Sequence, residues 1–306
     1  MQGKRDLLSI TDLSPQEALR IIHRARQMKA GGSGTPLAGK NIALLFQKPS
    51  LRTRVSFQVG IQQLGGCSFY LDGQEVGLGT REPVADVARV LSGYVDCIIA
   101  RVFSHADLVE LSRCATVPVI NALSDWEHPC QVLADLLTIA EFKGELKGLR
   151  LAFIGDGNNV ARSLCLGLPA VGVSFVMAAP PEYNLDQASL ALARRRSGDG
   201  NVTVVSLADP NEAVKGADVV YTDTWVSMGQ EAEADRRRHI FQGYTVDPVL
   251  LSRAKPDALF MHDMPAHYGE EVPPGMLDHP QSVAFAQAHN RLHAQKAILE
   301  FILGGS

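Results

Sequence analysis

The chain has 306 residues, of which 29 are Lys or Arg and 33 are Asp or Glu, and its net charge is −4. This length predicts two domains of ordinary size. A hydrophobic fraction of 46% with 20% charged residues is typical of a globular protein with ample core material. The balanced charge excludes a general attraction to nucleic acid or to anionic membranes, so a small anionic ligand would have to be held by a local cluster.

The first residues, 1–12, contain no apolar segment of the kind that begins a secretory signal, and no apolar run reaches the ~18 residues of a membrane helix. The five cysteines are odd in number and include no Cys-x-x-Cys pair. We therefore expect a cytoplasmic protein with reduced thiols, without disulfides and without a bound metal.

A helix start is the first clear element along the chain. Ser14 can cap the helix, Pro15 suits its first turn and Glu17 completes a capping box, so a helix is predicted from here to about Lys29. Short apolar strands then alternate with segments of helical spacing, which indicates a parallel sheet covered on both faces. These predicted strands are Asn41–Phe46, Cys67–Leu71, Cys97–Ala100 and Val117–Asn121, and a long apolar helix is predicted at His128–Glu141.

A second series of the same kind follows Gly148. The fold class is therefore α/β, with two tandem domains that each contain a parallel sheet flanked by helices. A last helix is predicted near Ala288–Leu303, and the pattern alone does not say on which domain it packs. The strands of this series are Leu151–Ile154, Ser174–Met177, Val202–Val205, Val219–Thr222 and Ala258–Met261.

A phosphate site is predicted where the first strand meets the next helix. Ser50-Leu51-Arg52-Thr53-Arg54 follows that strand and opens a helix, whose first N–H groups and partial positive charge favour an anion. Ser50 and Thr53 add hydroxyl donors, and Arg52 can bind phosphate oxygens in bidentate fashion. An ordinary capped helix with surface arginines is the alternative interpretation.

His128-Pro129-Cys130-Gln131 begins another helix after a strand. His128 and Gln131 are three residues apart and share a face, so an imidazole could donate to a carbonyl oxygen while the amide holds an –NH2 group. Taken alone, this segment favours the simpler interpretation, a capping histidine and a solvated glutamine.

These two segments, FQKPSLRTR at 46–54 and HPCQ at 128–131, resemble the paired carbamoyl phosphate motifs of the aspartate/ornithine transcarbamylases, and the resemblance covers nearly the whole chain. It implies a carbamoyl phosphate-binding domain at 1–140, an acceptor-binding domain at 141–285 and a C-terminal helix, about 286–306, that returns to the first domain. The carbamoyl phosphate ligands that it implies are Ser50, Leu51, Arg52, Thr53, Arg101, His128, Gln131, Met264 and Arg291.

Two positions depart from the family pattern on the donor side. Leu51 stands where many members have Thr, although its backbone N–H remains able to contribute. Family members are trimers in which a loop of the neighbouring subunit reaches into the site, and the matching loop here is Gln74–Gly79. Its Gly77 replaces a polar side chain of some members. The resemblance implies a homotrimer or a multiple of trimers.

The turn Gly155–Val160, GDGNNV, begins like a dinucleotide fingerprint but lacks the third glycine, because Val160 occupies that position. No acidic residue lies at the tip of the next strand. A nicotinamide cofactor is therefore not predicted, and no other cofactor is. In the resembled family this turn binds the acceptor, which implies that Asn159 contacts the α-carboxylate or α-amino group of an amino acid.

The segment Asp223–Gly229, DTWVSMG, looks like the ornithine-specific loop of the family. Asp223 can pair with an α-ammonium group, while Ser227 and the backbone of Met228 can bind the same zwitterionic end. The implied substrates are carbamoyl phosphate and L-ornithine, the implied products are citrulline and phosphate, and the implied pathway is arginine biosynthesis. Neither a nucleic acid nor a membrane is implied as a partner.

The segment Met261–Pro265, MHDMP, departs most from the pattern of the resembled family, because Asp263 stands where the ornithine branch usually has Cys. An ornithine δ-amine has a reference pKa of about 10.4 and must lose a proton before it attacks, so a carboxylate could attract it and orient or accept that proton. A catalytic role is therefore expected for Asp263. The resemblance implies catalytic roles for Arg101 and His128 as well. The alternative is that Asp263 marks another acceptor, such as putrescine or an acylated ornithine.

Arg291 is the remaining donor ligand that the resemblance implies. It belongs to the pair Asn290-Arg291, which we place at the start of the last helix. A non-catalytic anion-binding protein remains the interpretation from another functional class, and binding of carbamoyl phosphate would distinguish the two.

Overall fold

A computed structural model describes residues 4–198, 201–227 and 231–304, apart from the side chains of Gln74 and Glu231. The chain forms two compact units, Met1–Leu137 with Asn290–Ser306, and Thr138–His289. The domain limits predicted from the sequence, 140/141 and 285/286, lie three and four residues from these boundaries. Both boundaries fall inside helices, so the backbone passes from one unit to the other without a loop.

The first unit contains a parallel sheet, in which the described residues form four strands in the order β2-β1-β3-β4. The central strands β1 and β3 are almost wholly buried, as a sheet covered on both faces requires. Leu7 forms a further parallel bridge to Ile120, which places the N-terminal segment beside β4. In chain order the elements are α1 (Pro15–Lys29), β1 (Asn41–Phe46), α2 (Leu51–Gln63), β2 (Cys67–Asp72), α3 (Gly73–Val76), α4 (Val84–Ser92), β3 (Cys97–Arg101), α5 (His105–Cys114), β4 (Val119–Leu123) and α6 (Pro129–Lys143).

The second unit contains another parallel sheet, whose described strands follow the order β7-β6-β5-β8-β9. Its strands and helices are β5 (Arg150–Ile154), α7 (Asn159–Gly167), β6 (Ser174–Ala178), α8 (Gln187–Arg196), β7 (Val204–Leu207), α9 (Pro210–Val214), β8 (Val219–Thr222), α10 (Ala234–Ile240), α11 (Pro248–Leu251), β9 (Leu259–His262) and the start of α12 (Ala284–Leu303).

The C-terminal part of α12 belongs to the first unit, as the resemblance implied. Lys29 donates to the side chain of Asn290 at 2.8 Å, and Arg24 forms a two-pronged ion pair with Glu300. Lys296 donates to Ser33 and Gln63. These bonds join α12 to residues more than 230 positions earlier in the chain, and they confirm the predicted fold class.

Several element limits differ from the predictions. Strand β4 begins two residues late because Pro118 has no N–H to donate to a ladder. Strand β7 begins late because the Thr203 N–H is used by the Ser174 hydroxyl. The expectation that Arg291 opens the last helix is wrong: α12 begins at Ala284, whose N–H the Ser282 hydroxyl accepts at 3.4 Å.

Each sheet has a point where its strand order reverses direction. In the first sheet this point lies between β1 and β3, and in the second it lies between β5 and β8. Loops at the carboxyl ends of such strand pairs diverge to opposite faces and leave room for a ligand. The segments 47–50 and 102–104 occupy this position in the first unit, and 155–158 and 223–227 occupy it in the second. None of the described helices has the length and apolar character needed to cross a membrane.

A buried ion pair ties α10 to the loop that follows β5. Arg237 Nη1 lies 2.9 Å from Asp156 Oδ2, and the same nitrogen donates to the Trp225 carbonyl at 3.1 Å. Both charged side chains are less than one tenth exposed. Burial raises the pKa of the Asp156 carboxyl to about 6 although Arg237 acts to lower it, and the nearby Asp223 raises it further. The pair therefore holds the loop after β5 and the loop after β8 together, and the Asp156 carboxyl titrates within an accessible pH range.

The pKa of Asp156 predicts a pH dependence of stability. Between the unfolded value of 3.8 and the folded value of about 6, the unfolded chain releases a proton that the folded chain keeps. The free energy of unfolding should therefore fall as the pH rises through this window, by up to about 3 kcal/mol from this group. Urea unfolding of wild type and Asp156→Asn at pH 4 to 7 should show this fall in the difference between the two proteins.

Asp186→Asn is the matched control. Burial acts to raise the pKa of the Asp186 carboxyl, but hydrogen bonds from Ser189 and Arg162 outweigh it, and the net pKa is lowered. Its contribution to stability is thus present above the unfolded pKa and is lost as the pH falls below about 4. A difference between wild type and Asp156→Asn that is constant from pH 4 to 7 would contradict the prediction.

Candidate functional site

The anion-binding segment of the first unit begins at the N-terminus of α2. Ser50 is the N-cap, and its hydroxyl oxygen accepts the Thr53 N–H at 3.4 Å and also lies 3.0 Å from the Thr53 hydroxyl. Because this helix follows the buried strand β1 after a short loop, its first N–H groups lie at the carboxyl edge of the sheet. The strand–loop–helix setting predicted for these residues is confirmed.

Arg291 reaches this helix start from the other end of the chain. Its Nη2 donates to the Thr53 hydroxyl at 2.5 Å, although the two residues are 238 positions apart. Thr53 is wholly buried and Arg291 is 3% exposed. The first unit thus places a guanidinium beside the first turn of α2, where the helix already carries partial positive charge.

Arg101 and His128 belong to the same electrostatic environment. Arg101 ends β3 and pairs in register with Phe46, the last residue of β1. Desolvation lowers the pKa of the His128 imidazole well below its usual value, and the charges of Arg291 and Arg101 lower it further. His128 is therefore neutral at physiological pH and offers one N–H donor without a positive charge.

Gln131 lies in the first turn of α6 and is wholly buried. Its Nε2 donates to the Asp135 carboxylate at 2.9 Å. The neighbouring Cys130 is also buried, and its thiol donates to the Asn121 carbonyl at 3.3 Å. Desolvation raises the pKa of this thiol to about 12, which excludes a thiolate nucleophile here.

Leu51 and Arg52 occupy the exposed side of the same helix start. The Leu51 side chain is 75% exposed, so its replacement of Thr leaves the backbone N–H groups of the turn in place. Arg52 is half-buried, and within the described part of the chain its guanidinium forms no ion pair. Arg54, by contrast, stacks on the Tyr70 ring at 3.6 Å. Of the two arginines, Arg52 is thus the one free to bind an anion.

The loop that includes Gly77 is a tight turn. Gly77 has a φ of +64°, and a Cβ built there would lie 2.5 Å from the Arg81 Cβ. The Gly77 carbonyl accepts the N–H groups of Thr80, Arg81 and Glu82. A side chain at position 77 is therefore excluded by the fold of this loop, which accounts for the departure from the polar residue of some family members.

In the second unit, two predicted segments meet through Asn158 and Asp223. Asn158 caps α7 by accepting the N–H groups of Val160 and Ala161 at 3.0 Å, and its Nδ2 donates to Asp223 Oδ2 at 2.6 Å. The other oxygen of Asp223 accepts the Thr224 N–H. Asn159, the predicted acceptor ligand, is the first residue of α7. The backbone here allows no side chain at position 157, because a Cβ would lie 2.7 Å from the Asn184 backbone.

The loop after β8 is held by packing on its first half. Trp225 is 4% exposed and stacks on Phe241 with ring centroids 5.7 Å apart. Ser227 is half-buried. Met228, which the resemblance places among the ornithine ligands, lies outside the described residues.

The segment after β9 brings Asp263 close to Asp223. Oxygen and nitrogen atoms of Asp223, His262 and Asp263 all lie within 4.8 Å of one another. His262 is buried, its Nδ1 accepts the Met264 N–H at 2.9 Å, and its Nε2 lies 3.2 Å from Glu271. Met264 has a φ of +61°, so its backbone is held in the left-handed region.

Two carboxylates side by side form a site for a cationic or protonated amine. A metal ion does not fit the same three residues, because both ring nitrogens of His262 are already used in hydrogen bonds. The first unit, with three arginines, a neutral imidazole and a helix N-terminus, suits a phosphorylated carbonyl compound.

Several residues that support these side chains are not among those predicted from the sequence. Asn158 orients Asp223, Asp135 binds Gln131, and Glu271 binds His262. A signal was available for Asp135 alone, since it lies four residues after Gln131 on one helix face. The contacts of Asn158 and Glu271 join different loops and depend on the fold.

The chain was compared with known proteins. The model of the aspartate/ornithine carbamoyltransferase carbamoyl-P binding domain matches residues 5–141, and the model of the Asp/Orn binding domain matches residues 147–302. An ornithine carbamoyltransferase of Thermococcus kodakarensis is 50% identical over 305 residues, covering 98% of this chain and 97% of the relative. One of Anoxybacillus flavithermus is 49% identical, covering 99% and 98%.

Solved structures agree with these matches. The ornithine carbamoyltransferase of Pyrococcus furiosus superposes with a TM-score of 0.95 at 48% identity, covering 99% of this chain and 98% of that one. The Thermus thermophilus structure gives a TM-score of 0.89 at 44% identity, covering 98% and 99%. The two domain models, the near-complete coverage and the matching fold lead to one conclusion: this chain belongs to the aspartate/ornithine carbamoyltransferase family.

Proposed function

We propose that this chain transfers the carbamoyl group of carbamoyl phosphate to the δ-amine of L-ornithine, which yields L-citrulline and phosphate. The observation that carries the proposal is the Arg291–Thr53 bond beside a buried, neutral His128, because it assembles an anion site with an uncharged hydrogen-bond donor. Relatives about 50% identical over nearly the whole chain are named ornithine carbamoyltransferase, and one from Pyrococcus furiosus is named anabolic. We therefore place the reaction in arginine biosynthesis, in the cytoplasm.

The donor is held by the first unit. Ser50, Leu51, Arg52 and Thr53 bind the phosphate through hydroxyl, guanidinium and backbone N–H groups, and Arg101 and Arg291 offset its charge. His128 donates to the carbamoyl oxygen, and Gln131 holds the amide in this proposal. Because these groups are fixed before the substrate arrives, they stabilise the oxyanion that develops during attack without reorganising.

The acceptor is held by residues of the second unit. Asp223 pairs with the α-ammonium group of ornithine, while Asn159, Ser227 and Met228 bind the same zwitterionic end. Asp263 faces the δ-ammonium, and its carboxylate takes or orients the proton that the amine must lose. The neutral amine attacks the carbamoyl carbon and forms the new C–N bond, while the C–O bond to phosphate breaks. Phosphate leaves with the electron pair and takes the second proton that the attacking nitrogen gives up. This chemistry requires no cofactor, and positioning of the two substrates supplies much of the acceleration.

Acceptor selectivity tests the proposed substrate. We expect kcat/KM for ornithine to exceed that for putrescine or Nα-acetylornithine by on the order of 100-fold, because a site built for an α-ammonium group rejects ligands that lack it. Colorimetric detection of ureido product with each acceptor measures this ratio. Faster carbamoylation of putrescine or of the acylated amine would identify Asp263 as the mark of a different acceptor.

Asp263→Asn tests the role of the carboxylate that replaces cysteine. We expect kcat/KM for ornithine to fall about 10- to 100-fold, since the amide cannot accept the proton. KM for carbamoyl phosphate should change less than about twofold. Asp278→Asn, which alters an exposed carboxylate, is the control and should retain wild-type kinetics. Equal losses for both variants, or none for either, would remove Asp263 from the mechanism, and Asp263→Cys reports whether the residue usual in the family substitutes for it.

A homotrimer is the proposed assembly. Apolar side chains are exposed on the first unit at Leu51, Val55, Phe69 and Tyr94, and an interface that covered them would remove apolar surface from water. Light scattering should give a mass near 99 kDa, three times the 33.0 kDa of the chain, or a multiple of it. A monomer at micromolar concentration would contradict this assembly.

A further inference from the structure

Asp135 and Gln131 form a buried pair one turn apart on α6. The Gln131 Nε2 lies 2.9 Å from Asp135 Oδ1, and both residues are wholly buried. We propose that Asp135 is a positioning residue that fixes the orientation of the Gln131 amide. In that orientation, Gln131 Oε1 selects a carbamoyl-group donor that carries an –NH2 group. This inference rests on the proposed function. It adds that Gln131 and Asp135 discriminate between carbamoyl phosphate and acyl phosphates of the same size.

The orientation of an amide depends on its neighbours. The two ends of a glutamine amide are nearly equal in size, but one donates hydrogen bonds and the other accepts them. The Oδ1 atom of Asp135 is the acceptor in this hydrogen bond, so the nitrogen of Gln131 lies on the side of Asp135. The Oε1 atom of Gln131 must then face the opposite direction.

That oxygen is buried and has no hydrogen-bond partner among the residues that the structure describes. A buried acceptor without a partner is unfavourable, so a ligand that supplies an N–H there gains affinity over one that does not. A carbamoyl group presents –NH2, whereas an acetyl group of nearly the same shape presents a methyl group. If the amide could turn around, its –NH2 would face the ligand and this preference would be lost.

His128 supports the same interpretation from the other side of the carbonyl. Its neutral imidazole offers an N–H three residues before Gln131, at the start of the same helix. A donor for the carbonyl oxygen and an acceptor for the amino group together define a carbamoyl group. Of these two groups, only the hydrogen-bond acceptor, Gln131 Oε1, depends on Asp135, because nothing else in the described residues binds the Gln131 side chain.

The test uses two stable ligands that differ in one group. Phosphonoacetamide carries –NH2 and 2-oxopropylphosphonate carries –CH3 at the same position, and calorimetry without an acceptor gives the ratio of their Kd values. We expect wild type to prefer the amide by 10- to 100-fold. In Asp135→Asn the Gln131 amide can adopt both orientations, and the preference should fall to threefold or less. The Kd for inorganic phosphate should stay within twofold, because phosphate lacks the –NH2 group that Gln131 is proposed to hold.

A reversed pair provides the rescue. In Gln131→Glu combined with Asp135→Asn, the new asparagine can donate to the new glutamate, whose second oxygen remains an acceptor for the ligand. The total charge and the buried hydrogen bond are both kept. This double variant should recover a preference for the amide of at least 10-fold, even if both ligands bind more weakly. A merely structural role of Asp135 would lower the melting temperature without changing the ratio.

The outcomes separate this inference from the proposed function. An unchanged ratio in folded Asp135→Asn overturns the inference, and citrulline formation by wild type would then leave the proposed function intact. If Asp135→Asn does not fold, the double variant decides: a preference of at least 10-fold supports the inference, and a smaller one overturns it. Wild type that binds neither ligand and forms no citrulline overturns both.

Discussion

The proposed carbamoyl phosphate site depends on the hydrogen bond from Arg291 to the Thr53 hydroxyl. This bond joins the first turn of α2 to α12 across 238 residues, and both partners are buried. An anion bound beside this guanidinium would be favourable, because opposite charges attract strongly where water is excluded. The partial positive charge at the start of α2 adds to that of the guanidinium, and a phosphate bound there would neutralise both.

Burial next to these arginines also decides the chemical state of His128. Desolvation and the charges of Arg291 and Arg101 act in the same direction and keep the imidazole neutral. A neutral imidazole can donate to a carbonyl oxygen without adding another cation beside the phosphate. The same environment leaves Cys130 protonated, so no thiolate is available at this position.

The second unit has the opposite character. Asp223 and Asp263 lie close together, and Asn158, His262 and Glu271 hold the loops that carry them. The negative charge of this group matches an amino acid with two amines, as the positive charge of the first unit matches a phosphorylated donor. Asp263 is the chain's own contribution, because cysteine is usual at this position. The structure places Asp223 beside it, and His262 accepts the N–H of the next residue, Met264.

The sequence by itself determined the local parts of this protein. Capping residues and apolar periodicity placed α1, β1 and β8 at the limits that the structure has, because those signals act over a few residues. The motif at Ser50–Arg54 is likewise a local strand–loop–helix unit. Only the tertiary structure decided which side chains meet: the Arg291–Thr53 and Asn158–Asp223 bonds join distant segments, and no periodicity encodes them. The neutral state of His128 and the raised pKa of Asp156 also follow from burial. Burial depends on how the whole chain packs and not on the residues that lie next to these two in the sequence.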